Sequence, residues 1–143
     1  MSANLYATPE KAERAFYDAF ERGDFNAMMD VWSTDDGVVC IHPGAPRLQG
    51  LEQVREGWRQ VLENSVGLRF VLTDIQATED EHLAIHVVRE EISIEGQLTG
   101  VMLSTNIYHR VGDGWRMMLH HASPEPEQFY DELEVTQDDV VLH

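Results

Sequence analysis

The feature that most constrains the fold of this chain is a change in hydrophobic periodicity near Leu68. From there on, apolar residues alternate with polar residues over four segments, 68–72, 83–94, 98–111 and 115–123. A period of two is typical of strands that bury one face. Polar turns separate the segments, and two of the turns, Glu95-Gly96 and Asp113-Gly114, are hairpin signals. The pattern therefore predicts four long strands in an antiparallel meander.

The residues before this change carry helical signals instead. A first helix is predicted between the start signal Thr8-Pro9-Glu10 and the stop signal Gly23, and Asp24 is placed to cap a second, short helix. A third helix is predicted over 51–63, because its apolar residues fall on one stripe. Between the second and third helices, 38–42 is typical of a short strand that ends before Pro43-Gly44.

One strand shows an irregular pattern. The apolar phase of segment 83–94 shifts near Arg89 and Glu90, which predicts a β-bulge at that point. Either side chain then has a route inward, although exposed salt pairing is the favoured interpretation for both.

Length and composition favour one globular domain over 1–143, with an acidic tail over about 124–143 that contains no Lys or Arg. The formal net charge of -16 argues against nucleic acid as a partner, because phosphate backbones are bound by clustered basic residues. The single cysteine, Cys40, excludes an intrachain disulfide. Neither a leader pattern nor a bilayer-length apolar run is evident, so we predict a cytoplasmic protein that does not act at membranes.

The order of elements, together with the segments ERGDFNAMMDVW, IHPGAPRLQG and DGWRMMLHHAS, resembles the nuclear transport factor 2-like superfamily over roughly Glu10 to Pro124. The nearest likeness is to its SnoaL-like and ketosteroid-isomerase-like branch. The resemblance implies an α+β fold, a cone-shaped domain with three N-terminal helices packed on a strongly curved mixed or antiparallel sheet. It also implies a small-molecule pocket and a homodimer formed through the sheet.

The resemblance also assigns residues. The isomerase branch has an Asp base before a proline, and His42 takes that position here. The second acid of that branch falls on Asn106, and its oxyanion tyrosine falls on Phe16. Tyr17 follows about 100° further around the helix. The missing tyrosine weighs against authentic steroid isomerisation.

The register of the last hairpin decides which of these residues face a pocket. A two-residue Asp113-Gly114 turn places Asn106 opposite His121, on the face of the strand that also carries Ser123. A three-residue turn would instead place Thr105 opposite His121 and turn Asn106 outward. His120 is predicted to lie on the opposite face and is excluded from the site.

The predicted site has a catalytic part and a binding part. His42 is the candidate base, and Asn106 and His121 are candidate donors to a developing oxyanion. The alternative for His42 is a structural bond to the Pro43-Gly44 turn, and that alternative is favoured by sequence alone. The candidate binding residues are Phe16, Tyr17, Trp32, Trp58, Tyr108 and Ser123. For the two tryptophans, a role in the core is the favoured alternative.

No metal site and no cofactor are predicted, because none of the familiar short His or Cys spacings for zinc occurs. Two functions remain open. The first is a cofactor-independent isomerase or cyclase acting on a small, apolar, carbonyl-containing ligand. The second is a non-catalytic ligand-binding or dimerisation module. The homodimer is also predicted from an apolar set in the third long strand: Val101, Leu103, Thr105 and Ile107.

Overall fold

The computed structural model describes residues 6–65 and 67–126. The chain forms, in order, α1 (Pro9–Arg22), α2 (Phe25–Val31), β1 (Val39–Ile41), β2 (Leu48–Gln49), α3 (Leu51–Glu63), β3 (Leu68–Glu79), β4 (Leu83–Ile94), β5 (Gln97–Val111) and β6 (Gly114–Pro124). The three helices and the four long strands are those predicted from periodicity. Strand β2 was not predicted, because two residues are too few to show an alternating pattern. Most of the predicted acidic tail, from position 127 onward, lies outside the described residues.

Local signals explain the helix boundaries. The Thr8 hydroxyl accepts a hydrogen bond from the Lys11 amide at 3.1 Å, and Pro9 occupies the first turn of α1. Gly23 ends α1 in the left-handed conformation, at φ 64°, where a side chain would be disfavoured. The Asp24 carboxylate then accepts from the Ala27 amide at 3.0 Å and caps α2.

The strands form one six-stranded sheet in the order β2-β1-β6-β5-β4-β3. Strand β1 is parallel to β6, and the other neighbours are antiparallel, so the sheet is mixed. Helix α1 contacts β3, β5 and β6, and a buried aromatic core lies between the helices and the sheet. These features confirm the predicted α+β fold. No helix in the described part of the chain is long and apolar enough to cross a membrane.

The last hairpin pairs Thr105 with His121, as in the alternative register, but Asn106 is buried and not turned outward. The turn consists of Gly112 and Asp113, since Val111 pairs with Gly114. A register shift follows between Tyr108 and Ile107, and beyond it Asn106 lies opposite His120. The extra residue on β6 reverses the side-chain alternation of that strand. As a result His120 faces the core, and His121 lies on the exposed face.

Strand β4 alternates without interruption, so the bulge predicted near Arg89 and Glu90 is not in this strand. One irregularity lies in β3, between Thr73 and Gln76, opposite that part of β4, and another lies in the pairing of β4 with β5, between Ile92 and Ser93. Four residues of β4 face the core: Ala84, His86, Val88 and Glu90. Two of them, His86 and Glu90, are ionisable. The apparent slip in apolar phase arises because polar residues occupy part of the buried face.

The other face of the sheet carries exposed and half-buried apolar residues around the ion pairs of Arg89 with Glu91 and Glu125. Val71 is 56% exposed, and Leu83 and Val87 are each 42% exposed. The predicted set Val101, Leu103, Thr105 and Ile107 lies on this face of β5 and is half-buried. We call this surface the outer face.

Candidate functional site

His42 lies just beyond β1, half-buried against the core. Its ring meets Trp58 edge to face with centroids 4.7 Å apart, and its Nε2 lies 3.6 Å from Sγ of Cys40. Burial lowers the pKa of His42, so the ring is neutral at physiological pH. Burial also raises the pKa of the Cys40 thiol, which agrees with an inert buried cysteine.

His120 connects His42 to the interior. The two imidazole centroids are 6.5 Å apart, and His120 Nδ1 lies 2.6 Å from Oδ1 of Asn106. Because an amide oxygen only accepts, Nδ1 of His120 is the donor and Nε2 is left without a proton. Burial, with smaller contributions from His42 and His121, lowers the pKa of His120 to about 3. This ring is therefore a neutral, fixed tautomer.

Asn106 is fully buried at the centre of a hydrogen-bond network. Its Nδ2 donates to Glu13 Oε2 at 3.2 Å and to the Tyr17 hydroxyl at 3.0 Å. Tyr17 in turn donates to Glu90 Oε2 at 2.5 Å. The pKa values of Glu90 and Tyr17 are both raised above their ordinary values, mainly because the two side chains are buried.

Glu13 is the second centre of the network. Only 6% of this residue is exposed, and its Oε2 also accepts from the Tyr108 hydroxyl at 2.9 Å. Its Oε1 lies 3.1 Å from Nδ1 of His86. Buried carboxyl groups are costly unless such partners compensate them, so the network is what makes burial of Glu13 possible.

His86 extends the network to a group of acids. Its Nε2 lies 2.6 Å from Glu79 Oε2 and 3.8 Å from Glu10 Oε2. Burial lowers the pKa of His86, but the hydrogen bonds to Glu13 and Glu79 outweigh burial, and the resulting pKa is about 9. A mutual hydrogen bond raises the pKa of Glu10 and lowers that of Glu79.

An open cleft of about 420 Å³ lies between α1 and β3. One stripe of α1 forms its polar wall, and residues of β3 form its apolar wall. The lining residues are Glu10, Glu13, Arg14, Tyr17, Asp18, Glu21, Phe70, Leu72 and Ile75. Glu13 and Tyr17 belong to both the cleft and the buried network, so a molecule in the cleft can reach the network through these two side chains.

The structure brings together some of the predicted residues and separates others. His42, Trp58 and Phe16 surround His120, and Asn106, Tyr17 and Tyr108 surround Glu13. Phe16 and Tyr17 are both buried, with ring centroids 4.8 Å apart. Trp32 is buried in the core. His121 and Ser123 lie on the exposed side of β6, away from this cluster, because the bulge in that strand reverses its phase.

Four members of the network were missed or excluded by sequence reasoning: Glu13, His86, Glu90 and His120. A signal for Glu13 was present, because Glu10, Glu13 and Tyr17 recur at helical spacing. His86 and Glu90 also recur at strand spacing in β4. Glu90 was assigned to exposed salt pairing, and Glu13 and His86 were given no role, because charged residues are rarely buried.

A sequence profile of the SnoaL-like domain matches residues 10–126. The chain belongs to the SnoaL-like domain family. Three helices on a mixed six-stranded sheet are the architecture of nuclear transport factor 2-like proteins, so the likeness noted in the sequence is confirmed.

Two solved structures resemble this SnoaL-like domain closely. One is a candidate calcium/calmodulin-dependent protein kinase type II association domain from Thiobacillus denitrificans, 40% identical, with a TM-score of 0.82 over 86% of this chain and 99% of that one. The other is a candidate dehydratase of the same superfamily from Streptomyces avermitilis, 35% identical, with a TM-score of 0.73 over 80% of this chain and 91% of that one.

A curated relative is the F-box protein SKIP8 of Arabidopsis thaliana, 25% identical over 97 residues. The match covers 68% of this chain and 41% of the F-box protein, so the chain matches less than half the length of that relative.

Proposed function

We propose that this SnoaL-like domain binds a small molecule in the cleft between α1 and β3 and carries out acid–base chemistry on it. The observation that carries the proposal is that Glu13, a carboxyl group held by three side chains from two strands, is at once nearly buried and part of the cleft wall. A carboxyl group fixed in this way is typical of general acid–base sites.

Glu13 and Tyr17 form the acid–base pair. Glu13 is the proton acceptor, and Tyr17, whose pKa burial and Glu90 raise well above its usual value, stays protonated and is the donor. The Asn106 amide donates to both groups and fixes their separation. Both side chains are already held in place in the free protein, so a ligand carbonyl needs only to replace Glu90 as the acceptor of the Tyr17 hydroxyl proton.

The chemistry of the two walls indicates the ligand class. Phe70, Leu72 and Ile75 offer apolar contact, while a carbonyl oxygen near Tyr17 would accept its hydroxyl proton. In a dehydration, Glu13 would remove a proton from the carbon beside the carbonyl and pass that proton to the hydroxyl group that leaves as water. Tyr17 would keep its own proton and donate a hydrogen bond to the carbonyl oxygen. The dehydratase name of one similar structure supports this reaction class.

The test uses enolisable ketones and 3-hydroxy ketones in deuterated water. Exchange of the proton beside the carbonyl is followed by nuclear magnetic resonance, and loss of water is followed by absorbance of the conjugated product. Glu13→Gln should slow both reactions by about 10²–10⁴-fold. Asp18→Asn is the matched control, because Asp18 lines the same cleft but is exposed and pairs with Arg22. Equal exchange rates in Glu13→Gln and the unmodified chain would refute the role of Glu13.

A second candidate function, an association module, is favoured by the outer face. Exposed apolar side chains at Val71, Leu83 and Val87 are typical of a surface that another copy covers. The more similar of the two structures described above is named as an association domain, and this supports the candidate. The two functions are compatible, since the cleft and the outer face lie on opposite sides of the sheet.

Light scattering of the purified chain tests association directly. A homodimer is expected, and Val87→Lys should convert it to a monomer by placing a charge in the middle of the covered surface. Val111→Lys is the control, because Val111 has the same exposed fraction as Val87 but lies beside the terminal hairpin turn. A chain that is monomeric before any substitution would rule out this candidate.

A further inference from the structure

Three side chains from three separate elements meet at one end of the cleft: Glu10 from the first turn of α1, Glu79 from the end of β3 and His86 from β4. One ligand atom from each lies within 4.8 Å of the other two. We propose that Glu10, Glu79 and His86 bind a divalent transition-metal ion, with Zn²⁺ as the ion used to test it.

The donor set selects the class of metal. One imidazole nitrogen with two carboxylate oxygens suits Zn²⁺ and its neighbours in the first transition row, whereas Mg²⁺ and Ca²⁺ prefer oxygen ligands only and more of them. Three protein ligands also leave a coordination position for water or a substrate, as in catalytic zinc sites. Glu10 lines the cleft, so the proposed ion would lie beside the space in which a ligand binds.

The surroundings of His86 point independently to a metal ligand. The residue is 1% exposed, and its Nε2 is directed at the two carboxylates. Its other ring nitrogen, Nδ1, lies 3.1 Å from Oε1 of Glu13. A carboxylate on the far nitrogen is the usual partner that orients a metal-bound histidine and fixes its tautomer. Glu13 is therefore a positioning residue in this proposal.

The contact between the two acids gives a third reason. A carboxylate oxygen of Glu10 and one of Glu79 lie within 4.8 Å of each other, and two negative charges at this distance repel each other. A divalent ion between them would remove that repulsion, and the proton on Nε2 of His86 would leave to the solvent. The formal net charge of -16 also favours cation binding over anion binding.

Calorimetry on the full chain tests the proposal without any small-molecule substrate, so its result does not depend on the acid–base chemistry proposed above. Metal-free protein is titrated with ZnCl₂ in two buffers with different ionisation enthalpies. One ion per chain and net proton release are expected. Because Nε2 must lose its proton, the association constant should rise by about tenfold per pH unit between pH 7 and pH 8.5. CoCl₂ should also give the visible absorption of a low-coordinate ion.

Variants identify the ligands. Zinc binding should be lost in His86→Gln and in Glu79→Gln, and should weaken by about 10–100-fold in Glu13→Gln. His82→Gln is the control, because His82 is an exposed histidine in the turn before β4. If His86→Gln fails to fold by circular dichroism, Glu79→Gln supplies the same test, since that side chain is 31% exposed. Equal zinc affinity in the unmodified chain and Glu79→Gln, equal loss in His82→Gln, or Mg²⁺ binding as tight as that of Zn²⁺ would overturn the proposal.

Discussion

Replacement of His86 by Gln should remove a specific part of the pH dependence of folding. In the folded chain, the hydrogen bonds to Glu13 and Glu79 outweigh burial, so the pKa of His86 rises from 6.5 to about 9. A histidine with a raised pKa stabilises the fold fully below its unfolded pKa, and that stabilisation disappears as the pH rises through its folded pKa. The relevant window therefore runs from pH 6.5 to about pH 9.

The structure sets the size of the effect. One pKa unit corresponds to about 1.4 kcal/mol, so the upper limit of the contribution is about 3 kcal/mol. The side chain of Glu79 is 31% exposed and that of Glu10 is 59% exposed, so solvent screens part of the interaction. We therefore expect about 1.5 kcal/mol at pH 6.5 and almost nothing at pH 10.

The assay is urea denaturation of metal-free protein at several pH values between 6 and 10. The quantity of interest is the free energy of unfolding of the unmodified chain minus that of His86→Gln. His42, His109 and His120 all have lowered pKa values, so they titrate below this window and do not contribute to the difference. If the two chains give parallel curves between pH 6.5 and pH 9, the assigned interactions of His86 are refuted.

Three further predictions concern single substitutions and are checked by urea denaturation. Asn106→Leu should destabilise the fold by about 3–5 kcal/mol, because it leaves buried partners without hydrogen bonds; a loss below 1 kcal/mol would contradict the network. Tyr108→Phe removes only one donor to Glu13 and should cost about 1–2 kcal/mol, so a cost equal to that of Asn106→Leu would be inconsistent with Asn106 as the centre. Asp24→Ala removes the cap of α2 and should cost about 1 kcal/mol, and no loss would show that the cap is unimportant.

The helices could be predicted because their signals are local. Thr8, Gly23 and Asp24 act on backbone groups within a few residues, and the predicted helix starts and stop are those observed. The fold class followed from the same local signals and from the change in period at Leu68. Such information does not depend on which distant residues meet.

The site could not be predicted to the same extent because it depends on register. Between Trp115 and His121 the run Met117-Met118-Leu119 is apolar throughout, so neither phase of the strand is marked by polar residues. One extra residue in that run exchanges the faces of His120 and His121. Asn106 was correctly expected inside, but its partner across the strand was the other histidine.

Strand β4 shows why the remaining residues were missed, and what their position implies. Its larger apolar residues Leu83 and Val87 lie on the exposed face, while His86 and Glu90 are buried between Ala84 and Val88. Burying ionisable groups costs stability even when they are paired, and an apolar replacement is often at least as stable. Burial of His86 and Glu90 on one face and exposure of Leu83 and Val87 on the other agree with the two proposals, in which the network and cleft bind a small molecule or ion and the outer face binds a second copy of the chain.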